Sequence, residues 1–283
     1  MAFFINKICG VTTTGTDGEG AFEVKIAKVL SPNHSATNKI NGVMDNRYSV
    51  DFDGSGDYID ASTAADNLNT STGTVCMWVK LDATSNNEAV WECSIGTSGN
   101  NKIMLKYVTA TELWRAQFKA NTGGTVVTTS ADFSQGSSAA VAAGWQHVAM
   151  TWDDGTADEI KLYVNGSLKD TESTIIHYNG TPDRVHLGKA ANASHTYHDG
   201  HIDNYGLWTS VLTAAEITAI YNVRNSDLTA AFTDTAGNTY DSHGDLIQWL
   251  RMLENTSTSL ADSAGASNTG TITNATWAND PAF

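Results

Sequence analysis

The chain has 283 residues, enough to bury one large core, and its 31 Asp and Glu against 16 Lys and Arg give a formal charge of -15. Such a charge repels phosphate backbones and anionic lipid heads, which excludes nucleic acid as an expected partner. No apolar run approaches the roughly 20 residues that cross a bilayer, so no membrane insertion is expected.

Residues 1–45 read as an N-terminal arm with one strand, in which Phe22, Val24 and Ile26 alternate with Glu23 and Lys25 until Pro32 ends the run. The opening MAFFINKICG has neither a basic leader nor an apolar stretch long enough for a secretory signal, so synthesis in the cytosol without a signal peptide is expected. From Arg47 short strands follow in quick succession: YSVDFDG, DYIDAS, GTVCMWVKLDA, AVWECSIG, KIMLKYV and LWRAQFKA, with Gly- and Asn-rich turns between them. In the third, Val75, Met77 and Val79 oppose Cys76, Trp78 and Lys80. Trp145, His147, Ala149 and Thr151 then alternate with Gln146, Val148, Met150 and Trp152. Ile160, Leu162 and Val164 alternate against Lys161 and Tyr163, and Asn165-Gly166 predicts a type I′ hairpin turn. After DRVHLGKA and a loop, Ile202, Asn204 and Gly206 alternate with Asp203, Tyr205 and Leu207, and Thr213 with Glu216 predicts a capping box opening a short helix. Many short strands separated by turns predict an all-β sandwich or barrel.

The phrases W-x-H-V-A-x-T-W at Trp145–Trp152, L-Y-V-N-G at Leu162–Gly166, F-D-G-x-x-D-Y-I at Phe52–Ile59 and G-x-I-D near Asp203 stand in one order across residues 46–222. That stretch resembles a laminin-G-like domain of the concanavalin A-like jelly rolls. The resemblance implies an antiparallel β-sandwich with one short C-terminal helix and flanking arms. Residues 223–283 are similar to a phrase that ordinarily precedes the F-D-G strand. Here it trails, so the tail either folds back to complete the sandwich or supplies a strand to a neighbouring subunit. The first is preferred, because the ends of a domain usually lie close together.

Sandwiches of this kind include glycosidases, whose acid and nucleophile flank the scissile bond about 5 to 5.5 Å apart. The carboxylate alternation this needs is missing, and Asp153–Ile160 sits in a hairpin turn, so no catalytic residue is expected. His195, His198 and His201 recur every three residues beside Asp199 and Asp203, but in a loop that spacing does not make ligands converge, and rim histidines are the ordinary reading. The resemblance implies a structural Ca²⁺ at Asp53, Asp57 and Asp203; alternatively Asp53 and Asp57 shape a tight turn. Trp78, Trp145 and Trp152 read as core. Tyr205 with Trp208, or Tyr197 with Trp114, could be sugar platforms, against the commoner fate of aromatics as core. Cys9, Cys76 and Cys93 form an odd set without C-x-x-C spacing and read as buried thiols.

The Thr-, Asn- and Ser-rich, Lys-poor style of the chain, joined to the resemblance, implies a non-enzymatic virion surface protein of a bacteriophage. It would be a capsid decoration, fibre or tail component, homo-oligomeric, with other virion proteins and host-surface glycans as partners. The alternative is a carbohydrate-binding lectin outside any virion, and a glycoside hydrolase is the distant third.

Overall fold

The computed structural model describes residues 11–14, 23–26, 48–84, 87–96, 99–122, 125–175, 178, 180–191 and 197–283. Contacts divide the chain into two units, 1–40 and 41–283. In the first, strands Val11–Thr14 and Glu23–Ile26 pair antiparallel. Cys9 and His195 lie outside the described residues.

The second unit is a sandwich of two eight-stranded antiparallel sheets. The first sheet runs, in spatial order, Ser167–Ser173, Glu159–Val164, Trp145–Asp153, Thr72–Leu81, Asp199–Trp208, Ser49–Asp53 and Thr276–Ala278. Leu246–Leu250 pairs beside them with Asp199–Trp208. The second runs Ser259–Leu260, Gly270–Thr273, Tyr58–Asp60, Arg184–Leu187, Glu88–Ser94, Lys102–Val108, Leu113–Thr122 and Thr125–Ser134. The tail therefore pairs within its own chain, through Leu246–Leu250, Gly270–Thr273 and Thr276–Ala278. Among the described residues no helix is long and apolar enough to cross a membrane.

Alternation fills the space between the sheets. Val75, Met77 and Val79 point inward from the central strand, to meet Trp91, Ile103, Leu105, Val148, Met150, Trp152 and Leu187, all buried. Trp91 stacks on Trp152 with ring centroids 6.0 Å apart. Each such side chain contributes about 1.5 to 3 kcal/mol through burial.

The outer face of the first sheet is closed by a second apolar cluster. Cys76, Ala149, Tyr163 and Trp208 meet Leu212, Ile217 and Ile220 around helix Ala214–Val223, and Leu228, Tyr240, Leu246 and Trp249 from the following segment. Thr213 and Glu216 form the reciprocal capping box that starts this helix. The Asn165-Gly166 turn beneath it has φ of 52° and 72°, and a Cβ on Gly166 would stand 2.8 Å from the Tyr221 ring. A second short helix, Ser137–Ala142, precedes the strand that starts at Trp145.

One strand departs from simple alternation. A bulge between Asp203 and Gly206, with Asn204 at φ 49°, inserts an extra residue opposite Trp78 and Cys76. The phase shifts by one, so Ile202, Tyr205 and Leu207 all face the core while Trp208 joins the outer cluster.

Candidate functional site

Beyond the helix, the outer face of the first sheet ends in a polar rim. Register places Trp145 opposite Lys80, Lys80 opposite His201, and His201 opposite Asp51, so four side chains from four strands form one row. Asp82 follows the end of the central strand. His201 Nε2 lies 3.1 Å from Asp82 Oδ2 and 3.9 Å from Asp51 Oδ1. Its Nδ1 lies 3.3 Å from Ser49 Oγ. Lys80 Nζ reaches Asp82 Oδ1 at 3.3 Å and Asp280 Oδ2 at 2.8 Å. That hydrogen bond raises the Lys80 pKa and holds the Asp280 carboxyl below the usual range. Asp199 shifts up, first through burial and then through the carboxylates of Asp82, Asp51 and Asp53, against the opposing pull of His198. Gly200 fixes the crossing: at φ 144°, a Cβ there would stand 2.1 Å from the Lys80 carbonyl oxygen.

The acids implied for calcium do not converge. Asp53 is exposed and accepts from Ser55 N at 2.8 Å, while Asp57 Oδ2 accepts from Asp53 N at 2.9 Å, so this pair shapes the turn. Burial pushes the Asp57 pKa up. Asp199 pairs with Asp53, which leaves Asp203 four residues further along the strand, roughly 13 Å away at an extended rise. Asp203 is buried and its Oδ2 accepts from Ala282 N at 3.0 Å. These residues do not fit one Ca²⁺ ion, which needs six to eight oxygens at 2.3–2.6 Å.

Of the aromatic candidates, Tyr205 and Trp208 are fully buried and present no face to a ligand. Tyr205 Oη accepts from Trp91 Nε1 at 3.2 Å, and Trp208 Nε1 donates to Tyr240 Oη at 2.9 Å. Trp114 is also core, donating to Gln135 Oε1 at 3.0 Å. Trp145, read as core from its alternation, is instead partly exposed on the rim, its ring 6.0 Å from that of His201. Trp78 faces outward too, but Tyr221 stacks on it at 5.7 Å. His198 and His201 part company, since His198 is fully buried with its Nδ1 3.0 Å from Glu88 Oε2. The sequence reading passed over Asp51, Lys80 and Asp82; the signal for Lys80 was its place in the alternation beside Trp78.

The outer face of the second sheet carries a largely polar row, Asp60, His186, Glu92, Gln117 and Ser130, interrupted by Met104, across six strands. Two acids on this face are matched by bases: Lys102 Nζ lies 3.3 Å from Glu92 Oε2, and Arg115 forks Asp132 at 2.7 and 2.6 Å. Burial lowers the Lys102 pKa, and burial with the charges of Lys102 and Arg115 lowers that of Lys106 to about 8. At the edge of this face three half-buried side chains gather. Lys189 Nζ sits 4.0 Å from the Tyr58 ring and 5.9 Å from the Tyr197 ring, and His186 meets Tyr58 edge-on at 5.5 Å. Tyr197 is the predicted aromatic that does reach a surface. Tyr58 was legible in the D-Y-I-D alternation, which turns it away from Ile59 and the core. Ring faces stack on the C–H faces of sugars, and the flanking Lys189 and Asp60 offer a donor and an acceptor for hydroxyls.

The family described as the concanavalin A-like lectin/glucanases superfamily, in its laminin G form, matches residues 53–218. Among solved structures, a candidate carbohydrate-binding protein from Bacteroides ovatus aligns with a TM-score of 0.53 at 16% identity, over 91% of this chain and 66% of that one. The CBM40 domain of the Ruminococcus gnavus IT-sialidase, bound to α2,6-sialyllactose, aligns with a TM-score of 0.50 at 18% identity, over 62% of this chain and 97% of that one. A SAP-like pentraxin from Limulus polyphemus aligns at 14% identity with a TM-score of 0.45, over 62% of this chain and 82% of that one. At these identities the first two likenesses concern the fold. Curated protein sequences give no match.

Proposed function

Because the chain belongs to the concanavalin A-like lectin/glucanases superfamily, we propose that it is a non-catalytic carbohydrate-binding domain that seats a sugar on Tyr58 and Tyr197, at the edge of its second sheet. The observation that carries this reading is the presence of two half-buried tyrosine rings within 6 Å of Lys189 Nζ, with His186 and Asp60 beside Tyr58. The outer face of the first sheet supports it by contrast, since helix Ala214–Val223 and the segment behind it cover much of that surface. Two neighbours of like fold carry carbohydrate binding in their descriptions. The charges on the second face support binding without turnover, since Glu92 is held by Lys102 and Asp132 by Arg115.

Glycan-array screening followed by titration calorimetry on the best ligand tests the reading. Tyr58→Ala and Tyr197→Ala should each weaken binding about tenfold, a loss of ~1.4 kcal/mol. Unchanged affinity in both variants, or steady release of reducing ends from the bound glycan, would overturn it.

A further inference from the structure

The rim of the first sheet gathers a histidine nitrogen and two carboxylate oxygens from three separate stretches of chain. Ser49 Oγ donates its single hydrogen to the Asp280 carbonyl at 2.8 Å, so toward His201 Nδ1 at 3.3 Å it can only accept. His201 therefore carries a hydrogen on Nδ1, and its Nε2 faces the carboxylate oxygens of Asp82 and Asp51. The imidazole is fixed there, with the residue 7% exposed. One nitrogen and two oxygens thus lie within 4.8 Å of one another. Either a proton on Nε2 or a metal cation between the three balances such a set.

We propose that His201 Nε2, Asp82 Oδ2 and Asp51 Oδ1 bind a divalent transition-metal ion of the zinc class. Ligands about 2.05 Å from a tetrahedral Zn²⁺ stand about 3.3 Å apart, and the observed 3.1 and 3.9 Å bracket that separation. A mixed imidazole and carboxylate set suits zinc or manganese rather than Ca²⁺. Groups outside the three ligands already hold them in place. Ser49 orients the imidazole through Nδ1, and Lys80, anchored by Asp280, takes the other oxygen of Asp82 and leaves Oδ2 for the ion. Asp51 and Asp82 are 43% and 41% exposed, which leaves an entry path and room for water as the remaining ligand. The site shares no residue with the tyrosine patch proposed for sugar, so either can fail alone.

The test uses the full chain, stripped with a chelator and titrated with Zn²⁺ by calorimetry and with Co²⁺ by visible absorption. Wild type should bind with d–d bands of low-symmetry Co²⁺, and His201→Gln and Asp82→Asn should each lose at least about tenfold in affinity. Asp53→Asn should behave as wild type. Should His201→Gln misfold by circular dichroism, the part-exposed Asp51→Asn carries the same comparison. Zinc affinity unchanged in the ligand variants, or no zinc binding with nitrogen NMR showing a hydrogen on His201 Nε2, would overturn the proposal in favour of a plain imidazolium ion pair.

Discussion

The imidazole of His147 lies 5.4 Å from the indole of Trp78 on the neighbouring strand, and the Tyr221 ring from the helix above approaches it at 6.1 Å. The residue is 1% exposed and neither ring nitrogen has a hydrogen-bond partner among the described residues. Burial pushes its pKa from 6.5 down to about 3. Below about pH 6.5 the unfolded chain takes up a proton that the folded one refuses, so stability falls as pH drops from 6.5 toward 3. The slope approaches ~1.4 kcal/mol per pH unit. Denaturant midpoints at pH 7.5 and pH 5 should therefore differ more for wild type than for His147→Phe; equal differences would show that His147 is not the group responsible.

Gly200→Ala tests the close strand crossing. The new methyl would meet the Lys80 carbonyl at 2.1 Å, whereas one at Gly144, φ 64°, meets nothing within 4 Å. Gly144→Ala should cost ~1 kcal/mol from backbone strain alone. Gly200→Ala should cost at least about twice that in urea unfolding, with loss of the rim geometry around His201.

Glu216 does more than close its capping box. Its Oε1 accepts from Asp241 N, Ser242 N and Ser242 Oγ at 3.2, 2.9 and 2.6 Å, while Oε2 accepts from Thr213 N at 2.9 Å. Burial opposes its ionisation, but these hydrogen bonds outweigh it and hold the pKa below 4.5. Thr213→Ala should cost ~1 kcal/mol. Glu216→Ala should cost more, because it also unpairs the segment that caps the outer cluster. A smaller loss for Glu216→Ala in thermal melts would contradict this.

Lys102 and Glu92, 3% and 1% exposed, form an ion pair shielded from solvent. Removing the carboxylate alone leaves a buried ammonium, so Glu92→Ala should destabilise by about 3 to 5 kcal/mol. The double variant Glu92→Leu with Lys102→Met should recover most of that loss. A double variant no better than Glu92→Ala in equilibrium unfolding would rule the account out.

Much of the sandwich could be read from period-two patterning. Val75, Met77 and Val79 turned inward because a strand leaves them no other face, and Asn165-Gly166 made a tight turn because both positions need positive φ. The pattern misled where the backbone broke period. The bulge at Asn204 sent Tyr205 into the core, and Trp145 ended on a rim because its strand begins at the sheet's open end. The virion setting and self-association rested on chain style and on analogy with the family, not on a contact made by any residue, and neither enters the proposed function.

Sequence by itself determined the fold family, the two-layer β architecture, the capped helix and the absence of a carboxylate alternation suited to hydrolysis. These are local facts, written in the spacing of apolar residues, turn residues and caps along the chain. The tertiary structure decided which distant residues share a surface. Strand register brought Asp51, Lys80, Trp145 and His201 into one row although they lie up to 150 positions apart, and the fold brought Tyr58 and Tyr197 each within 6 Å of Lys189 Nζ. Register depends on which strands are neighbours, and that is chosen by burial of the whole core, so no single segment encodes it.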